Sequence, residues 1–249
     1  MRRLFIYPHR SLRAVPLNWP RCALSALIAG GLTLAIVRLL QPLFALHNQL
    51  CLGLLHLSGI PVTGIALVQL FAAIQPVPVP LVAVTQIGAR PLELWSIFAA
   101  AMLLLLELHR RIPFARSLLS FLMVLLIVAL GVVIFDSAAQ FGSAEFATIW
   151  LRGELLIWFV LPWFSASMLI LMQPATVLGI GWALISQIYG FFWSAIRLAL
   201  CIGVMHYTGI LFAPMFWFVL GVMADVVYLV VFYSVGLQWT SRRWDTRTN

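Results

Sequence analysis

Long apolar runs separated by short polar stretches form the main pattern of this sequence. Six of these runs predict membrane-spanning helices, since a helix that crosses a bilayer needs about 20 mostly apolar residues. The pattern therefore predicts an all-α polytopic membrane protein with a single transmembrane domain over residues 22–236. The predicted spans are, approximately, residues 22–40, 93–108, 117–135, 154–172, 177–205 and 210–236.

Residues 41–92 interrupt this pattern between the first and second runs. Residues 43–58 (LFALHNQLCLGLLHLS) mix apolar and polar side chains, which is typical of an amphipathic helix on a membrane surface. Residues 59–92 contain five prolines, and the alternating Val and Pro of PVPVPLVAV argue against a helix. We expect extended structure there, outside the membrane, with prolines that limit strand pairing at its edges. The apolar run 65–74 leaves open whether part of this region enters the membrane surface.

The arginines give the orientation of the predicted spans. All fifteen basic residues are Arg. Five lie in the N-terminal arm 1–21, three in the loop 109–116 and three in the tail 237–249. The opposite side carries only Arg90 and Arg152. Because cytoplasmic loops hold the excess of basic residues, both termini are predicted to be cytoplasmic. The outward-facing segments are then 41–92 and 136–153.

Composition excludes several classes of protein. Hydrophobic residues make up 63% of the chain and charged residues 9%, against about 25% charged residues in a soluble globular domain. Three cysteines among 249 residues are too few for a disulfide scaffold. The net charge of +8 arises from scattered arginines that act as topology signals, which argues against nucleic-acid binding. The lipid bilayer is the partner that this composition predicts.

The sequence contains no recognisable motif for a metal or a cofactor. The five histidines are scattered over both sides of the predicted membrane, without H-x-x-x-H or C-x-x-C spacing. The chain also lacks the G-x-x-x-x-G-K-[ST] loop of ATP-binding proteins and the G-x-S-x-G turn of hydrolases. We therefore expect no metal and no cofactor.

Ionisable residues within or beside the predicted spans are the first candidates for function, because they are costly to bury in a bilayer. Arg197 is the strongest of them. A structural role would pair it with Asp225, Glu154 or backbone carbonyls and fix the packing of helices. His206 follows nine residues later, half a turn out of phase, so the two side chains meet only if the segment breaks or another helix supplies a partner. The other four candidates are Arg38, Asp136, Glu154 and Asp225.

Two cysteines are weaker candidates for a nucleophile. Cys201 lies four residues after Arg197, on the same helical face, where a guanidinium favours the thiolate. Its neighbours are Leu, Ala and Ile, and a thiol buried among such residues is usually inert. Cys51 lies four residues after His47 in the predicted amphipathic helix, which makes a weak Cys/His pair.

The stretch SAIRLALCIGVMHYTGILFAPMFWFVLGVMADVVYL resembles the C-terminal part of the exosortase/archaeosortase family of multi-pass membrane cysteine transpeptidases. Arg197, His206 and Gly209 match the family's order of Arg, His and Gly, within a resemblance over residues 177–235. The resemblance implies catalytic positions at Arg197 and His206. It supplies no nucleophile, because residues 149–163, where the family carries its Cys, contain none.

Three functions remain open at this point. The first is a non-catalytic component of the bacterial inner membrane, an accessory subunit with membrane-protein partners in protein sorting, export or envelope assembly. The second is an active cysteine protease or transpeptidase that uses Cys51 or Cys201 with Arg197 and His206. The third is a small-solute transporter or channel that uses Arg38, Glu154, Arg197 and Asp225 along a polar path. The first is favoured because the polar residues form no complete catalytic set.

Overall fold

The structure is a computed structural model that describes residues 19–72, 74–84, 142–172, 176–209, 213–232 and 234–235, together with Ala100 and Leu104. Most of the N-terminal arm, the predicted span 93–108 apart from Ala100 and Leu104, the predicted span 117–135, Asp136 and the C-terminal tail lie outside the described residues. The described part is mostly helical, as the apolar pattern predicts.

Four long α-helices, a β-hairpin and a C-terminal helix that includes a π-helical segment form the described part. The helices are α1 (Trp19–Arg38), α2 (Leu40–Leu57), α3 (Ser143–Met172) and α4 (Thr176–Thr208). The hairpin is formed by β1 (Val62–Val68) and β2 (Val77–Val82). A C-terminal helix begins as Ala213–Phe216, continues as a π-helix over Trp217–Met223, and remains helical to Phe232.

Among the described residues, two helices are long and apolar enough to cross a membrane. They are Trp19–Arg38 and Gly179–Tyr207, which coincide with the first and fifth predicted spans. The fifth apolar run is long for one span, but α4 forms one continuous helix through Arg197. The helix α3 begins at Ser143, eleven residues before the predicted fourth span, so part of the predicted polar loop is helical.

Local sequence signals explain several helix ends. Pro20 is tolerated in the first turn of α1 because that turn needs no amide donor. Glu145 accepts a hydrogen bond of 2.8 Å from the Gly142 N–H and thereby caps α3. After α2, Gly59 has a φ of 70° and its N–H donates to the His56 carbonyl, as in a Schellman cap. Gly209 ends α4 with a φ of 75°.

The helix α2 coincides with the segment predicted as an amphipathic helix, and the structure packs it along α4. Its buried residues recur three or four positions apart, as on one helical face. The polar residues His47 and Asn48 belong to that buried face. The face therefore contributes to the core of the described part. Its members are Leu40, Phe44, His47, Asn48, Cys51 and Leu55.

The hairpin confirms the extended structure expected from the proline-rich segment. The strands β1 and β2 are antiparallel, with Ile65 opposite Pro80 and Leu67 opposite Pro78. β2 packs against α2 and α3, and Val77 and Val79 lie in the same core cluster as those helices. The Ser143 hydroxyl accepts from the Val82 N–H at 2.9 Å and donates to its carbonyl at 3.1 Å. The hairpin is thus fastened to the first turn of α3.

Candidate functional site

The strongest sequence candidate, Arg197, is fully buried at the centre of a charge cluster. Its Nη2 atom lies 2.9 Å from Glu154 Oε1 on α3 and 2.6 Å from Asp225 Oδ1 on the C-terminal helix. Both carboxylates are themselves buried. We call Glu154, Arg197 and Asp225 the charge cluster. It joins α3, α4 and the C-terminal helix at one point.

The second terminal nitrogen of Arg197 binds the backbone of the π-helix. Nη1 donates to the carbonyls of Leu220, at 2.5 Å, and Gly221, at 3.0 Å. A π-helical segment has a widened turn and is frequently found at functional sites. The widened turn here coincides with the two carbonyls that accept from Arg197. The guanidinium therefore has backbone partners as well as carboxylates.

Aromatic rings complete the surroundings of the guanidinium. The Arg197 Cζ atom lies 5.6 Å from the ring centroid of Trp150 and 6.0 Å from that of Trp193, within the range of cation–π attraction. Gly221 brings the π-helix close to Trp150: a Cβ there would lie 3.7 Å from the ring. These rings exclude water, so the ion pairs act in a low dielectric.

The structural role considered for Arg197 is thus present: Glu154, Asp225 and backbone carbonyls all contact it. A buried charge is tolerated when it is paired and hydrogen-bonded. Arg197 is ion-paired with both carboxylates and donates through both terminal nitrogens, whereas its Nε atom has no hydrogen-bond partner among the described residues. Removing one partner of such a pair destabilises the protein more than replacing the whole pair by apolar residues does, since the remaining partner is left charged and unpaired. The arrangement locks three helices together.

A second polar contact beside the cluster is invisible in the sequence. His47 Nε2 on α2 lies 3.2 Å from the Ser194 hydroxyl on α4, and Ser194 also interacts with the Glu154 carboxyl group. A His–Ser pair is the arrangement of an activated hydroxyl nucleophile. Ser194 is completely buried, however, so no substrate reaches its oxygen in this structure. The contact links α2 to the charge cluster.

His206, the second position singled out from the sequence, lies away from the cluster at the end of α4. Its Nδ1 atom donates to the carbonyl of Ala83, just after β2, at 2.7 Å. Nine residues of continuous α-helix place it about 13 Å along the axis from Arg197. The structure therefore does not bring Arg197 and His206 together, in agreement with their expected opposite phase. His206 contacts the hairpin.

The two candidate thiols lie in the core. Cys51 on α2 and Cys201 on α4 are free cysteines with no exposed surface, and both belong to the core cluster. His47, the expected partner of Cys51, is hydrogen-bonded to Ser194 instead. The expected partner of Cys201, Arg197, is paired with two carboxylates. Neither thiol is placed where a peptide carbonyl reaches it.

Over residues 19–72, 74–84, 142–172, 176–209 and 213–235 apart from 233, no group of three or more His, Cys, Asp or Glu side chains forms a metal site. Comparison of the chain with known protein families, with curated proteins and with solved structures gives no match.

Proposed function

We propose that this chain is a non-catalytic component of the bacterial inner membrane, in a protein-sorting, export or envelope-assembly system. In this proposal it has about six spans with both termini in the cytoplasm, and it resembles a degenerate exosortase. The observation that supports it best is the charge cluster. Both terminal nitrogens of Arg197 are engaged by Glu154, Asp225 and two backbone carbonyls, and the side chain is fully buried, so it is not presented to a substrate.

Two further observations support a membrane component that acts through contacts. α1 is long and apolar enough to span a membrane, and Leu27 on it is 72% exposed, as a lipid-facing residue would be. The hairpin lies at the end of α4 that carries His206, on the side predicted to face outward. It offers a folded surface for a membrane-protein partner, fastened to α3 and α4.

A small-solute transporter is the second candidate, and one observation favours it. Ionisable groups inside a membrane protein often mark a path for ions or solutes, and Glu154, Arg197 and Asp225 are such groups. In a transporter, Arg197→Ala abolishes transport while the protein accumulates normally. In the component proposed here, the same change removes the protein itself because three helices lose their common contact.

The test is purification of the tagged full-length protein from its host in mild detergent, followed by mass spectrometry. We expect a second membrane protein in stoichiometric amount. Cys51→Ser, Cys201→Ser and His206→Ala should retain this partner and the cellular activity that depends on the protein, with membrane abundance measured alongside. Recovery without any stoichiometric partner would contradict the proposal. Loss of the activity in a single cysteine variant of normal abundance would favour the transpeptidase.

A further inference from the structure

The two edges of the hairpin differ in a way that the strand register reveals. Pro78 and Pro80 have no N–H, so they occupy positions whose backbone does not bond to β1. Their partners across the ladder, Leu67 and Ile65, occupy the equivalent positions of β1. In an antiparallel pair, the N–H and C=O groups at these positions point away from the neighbouring strand.

The outer edge of β2 is therefore closed to further pairing. Its outward backbone positions include Pro78 and Pro80, which cannot donate a hydrogen bond. The outer edge of β1 is open by the same reasoning. Ile65 and Leu67 direct an N–H and a C=O outward, and no residue in the described ranges pairs with β1 there besides β2.

The open edge is also apolar and uncharged. β1 reads VTGIALV, and the side chains of Ile65 and Leu67 are 56% and 73% exposed. Proteins usually protect such edges with charges, prolines or bulges, because an exposed apolar edge invites another strand. This chain uses prolines on β2. On β1 it carries one irregularity, between Val62 and Gly64, before the two open positions.

We propose that the open edge of β1 pairs with β1 of a second copy of this chain, across a two-fold axis at Ile65. Antiparallel pairing about that axis joins two hairpins into a four-stranded sheet of order β2-β1-β1-β2. Both outer edges of this sheet carry the prolines, so the assembly ends at two copies. A pairing that closes on itself in this way is the usual form of a homodimer.

The charges of the strand permit this occupant. With no ionised residue in β1, two identical strands meet without like charges opposite each other. The open edge also requires water or a strand around it, because unpaired backbone groups do not face lipid. The pairing goes beyond the proposed function and does not depend on it.

Disulfide cross-linking of the purified full-length protein tests the pairing. Ile65→Cys is introduced together with Cys22→Ser, since Cys22 is the one native thiol that is not buried. Hydrogen-bonded antiparallel neighbours have Cα atoms about 5.5 Å apart, which suits a disulfide. With copper(II) as the oxidant of the two thiols, we expect a doubling of apparent mass on a non-reducing gel. Val177→Cys, 83% exposed at the opposite end of α4, is the matched control and should stay single.

Backbone and charge variants separate pairing from chance collision. Leu67→Pro removes an outward N–H but leaves the bonds between β1 and β2, so it should abolish the doubled band, whereas Leu67→Val should retain it. Ile65→Lys places like charges opposite each other and should shift the dimer to monomer in light scattering, while Ile65→Thr should not.

Equal cross-linking of Ile65→Cys and Val177→Cys in folded protein would overturn the proposal. So would cross-linking of Ile65→Cys in native membranes to a different protein instead of to itself. Failure of the dimer leaves co-purification of a partner unaffected, so the two proposals fail separately.

Discussion

The charge cluster and the hairpin treat their polar groups in opposite ways. The cluster carries the ionisable side chains that are the first candidates for function, and these side chains bind one another and the protein backbone. Arg197 contacts Glu154, Asp225 and two backbone carbonyls. The hairpin carries no ionisable side chain in either strand, yet Ile65 and Leu67 direct backbone groups outward. The region that looks functional in the sequence holds the fold, whereas the hairpin, which has no ionisable side chain in its strands, leaves an apolar strand edge unpaired among the described residues.

The difference has a physical origin. A buried guanidinium must be neutralised and hydrogen-bonded, so evolution of a stable core places acids beside it. Unpaired backbone groups of an edge strand cost little free energy in water, because water molecules bind them. A second strand can replace that water and form the same hydrogen bonds. Buried charge therefore indicates internal structure unless an open path leads to it, whereas an unpaired apolar edge indicates association.

The largest effect should follow from removing the centre of the cluster. Arg197→Ala leaves Glu154 and Asp225 buried without a counter-charge, and we expect a loss of about 3–5 kcal/mol in the free energy of unfolding. That is a large share of a typical total of about 5–15 kcal/mol, so membrane abundance should fall sharply. Abundance and thermal unfolding in detergent measure it.

The matched control for that change is Arg152→Ala. Arg152 donates to the carbonyls of Leu70 and Gln69 and is exposed, so its loss should change stability little. Arg197→Ala at wild-type abundance and thermal stability would show that the cluster does not hold the helices together. The transporter would then become the better explanation of these charges.

A triple variant distinguishes the effect of an unpaired buried charge from the effect of lost hydrogen bonds in the cluster. Arg197→Met combined with Glu154→Gln and Asp225→Asn removes every charge at once, so no ion is left unpaired. We expect this triple variant to recover most of the stability that Arg197→Met loses alone, as measured by thermal unfolding. A triple variant less stable than the single one would mean that hydrogen bonds to the ions, and not the balance of charge, dominate the cluster.

Much of the fold follows from the sequence where the signals are local. The apolar runs around α1 and α4 predict their positions, and alternating Val and Pro predict an extended segment where β1 and β2 form. The sequence does not predict the early start of α3, because the polar residues of the stretch 136–153, Arg152 among them, are typical of a loop. In the structure, Arg152 finds its partner, the Leu70 carbonyl, in a distant segment.

The site was predictable only in part. Residue types within the spans single out Arg197 and its acidic partners, since few other candidates exist to neutralise it. The contact between His47 and Ser194 joins positions 147 residues apart, and nothing in either neighbourhood signals it. The sequence does not predict which way His47 faces. In the structure it lies on the buried face of α2, where the buried Ser194 hydroxyl is its hydrogen-bond partner.

The link between α2 and the cluster should give an intermediate effect. Ser194→Ala removes the partner of His47 and leaves a buried imidazole nitrogen unsatisfied, which should cost about 1–3 kcal/mol in the free energy of unfolding. Ser58→Ala is the matched control, since Ser58 is exposed and its hydroxyl donates to the Leu54 carbonyl in the last turn of the adjoining helix α2. Equal thermal stability of the two variants would show that His47 gains nothing from Ser194.

The smallest effect on stability should come from the open edge. Ile65→Thr keeps a β-branched residue on an exposed site, so the free energy of unfolding should change by no more than about 0.5 kcal/mol. Val79→Ala, on the opposite strand but buried against the helices, should cost about 2 kcal/mol because apolar volume is lost from the core. Thermal unfolding of the two variants at low protein concentration measures the difference. Similar losses would mean that β1 is packed as tightly as β2, and the contrast between a closed core and an open edge would fail.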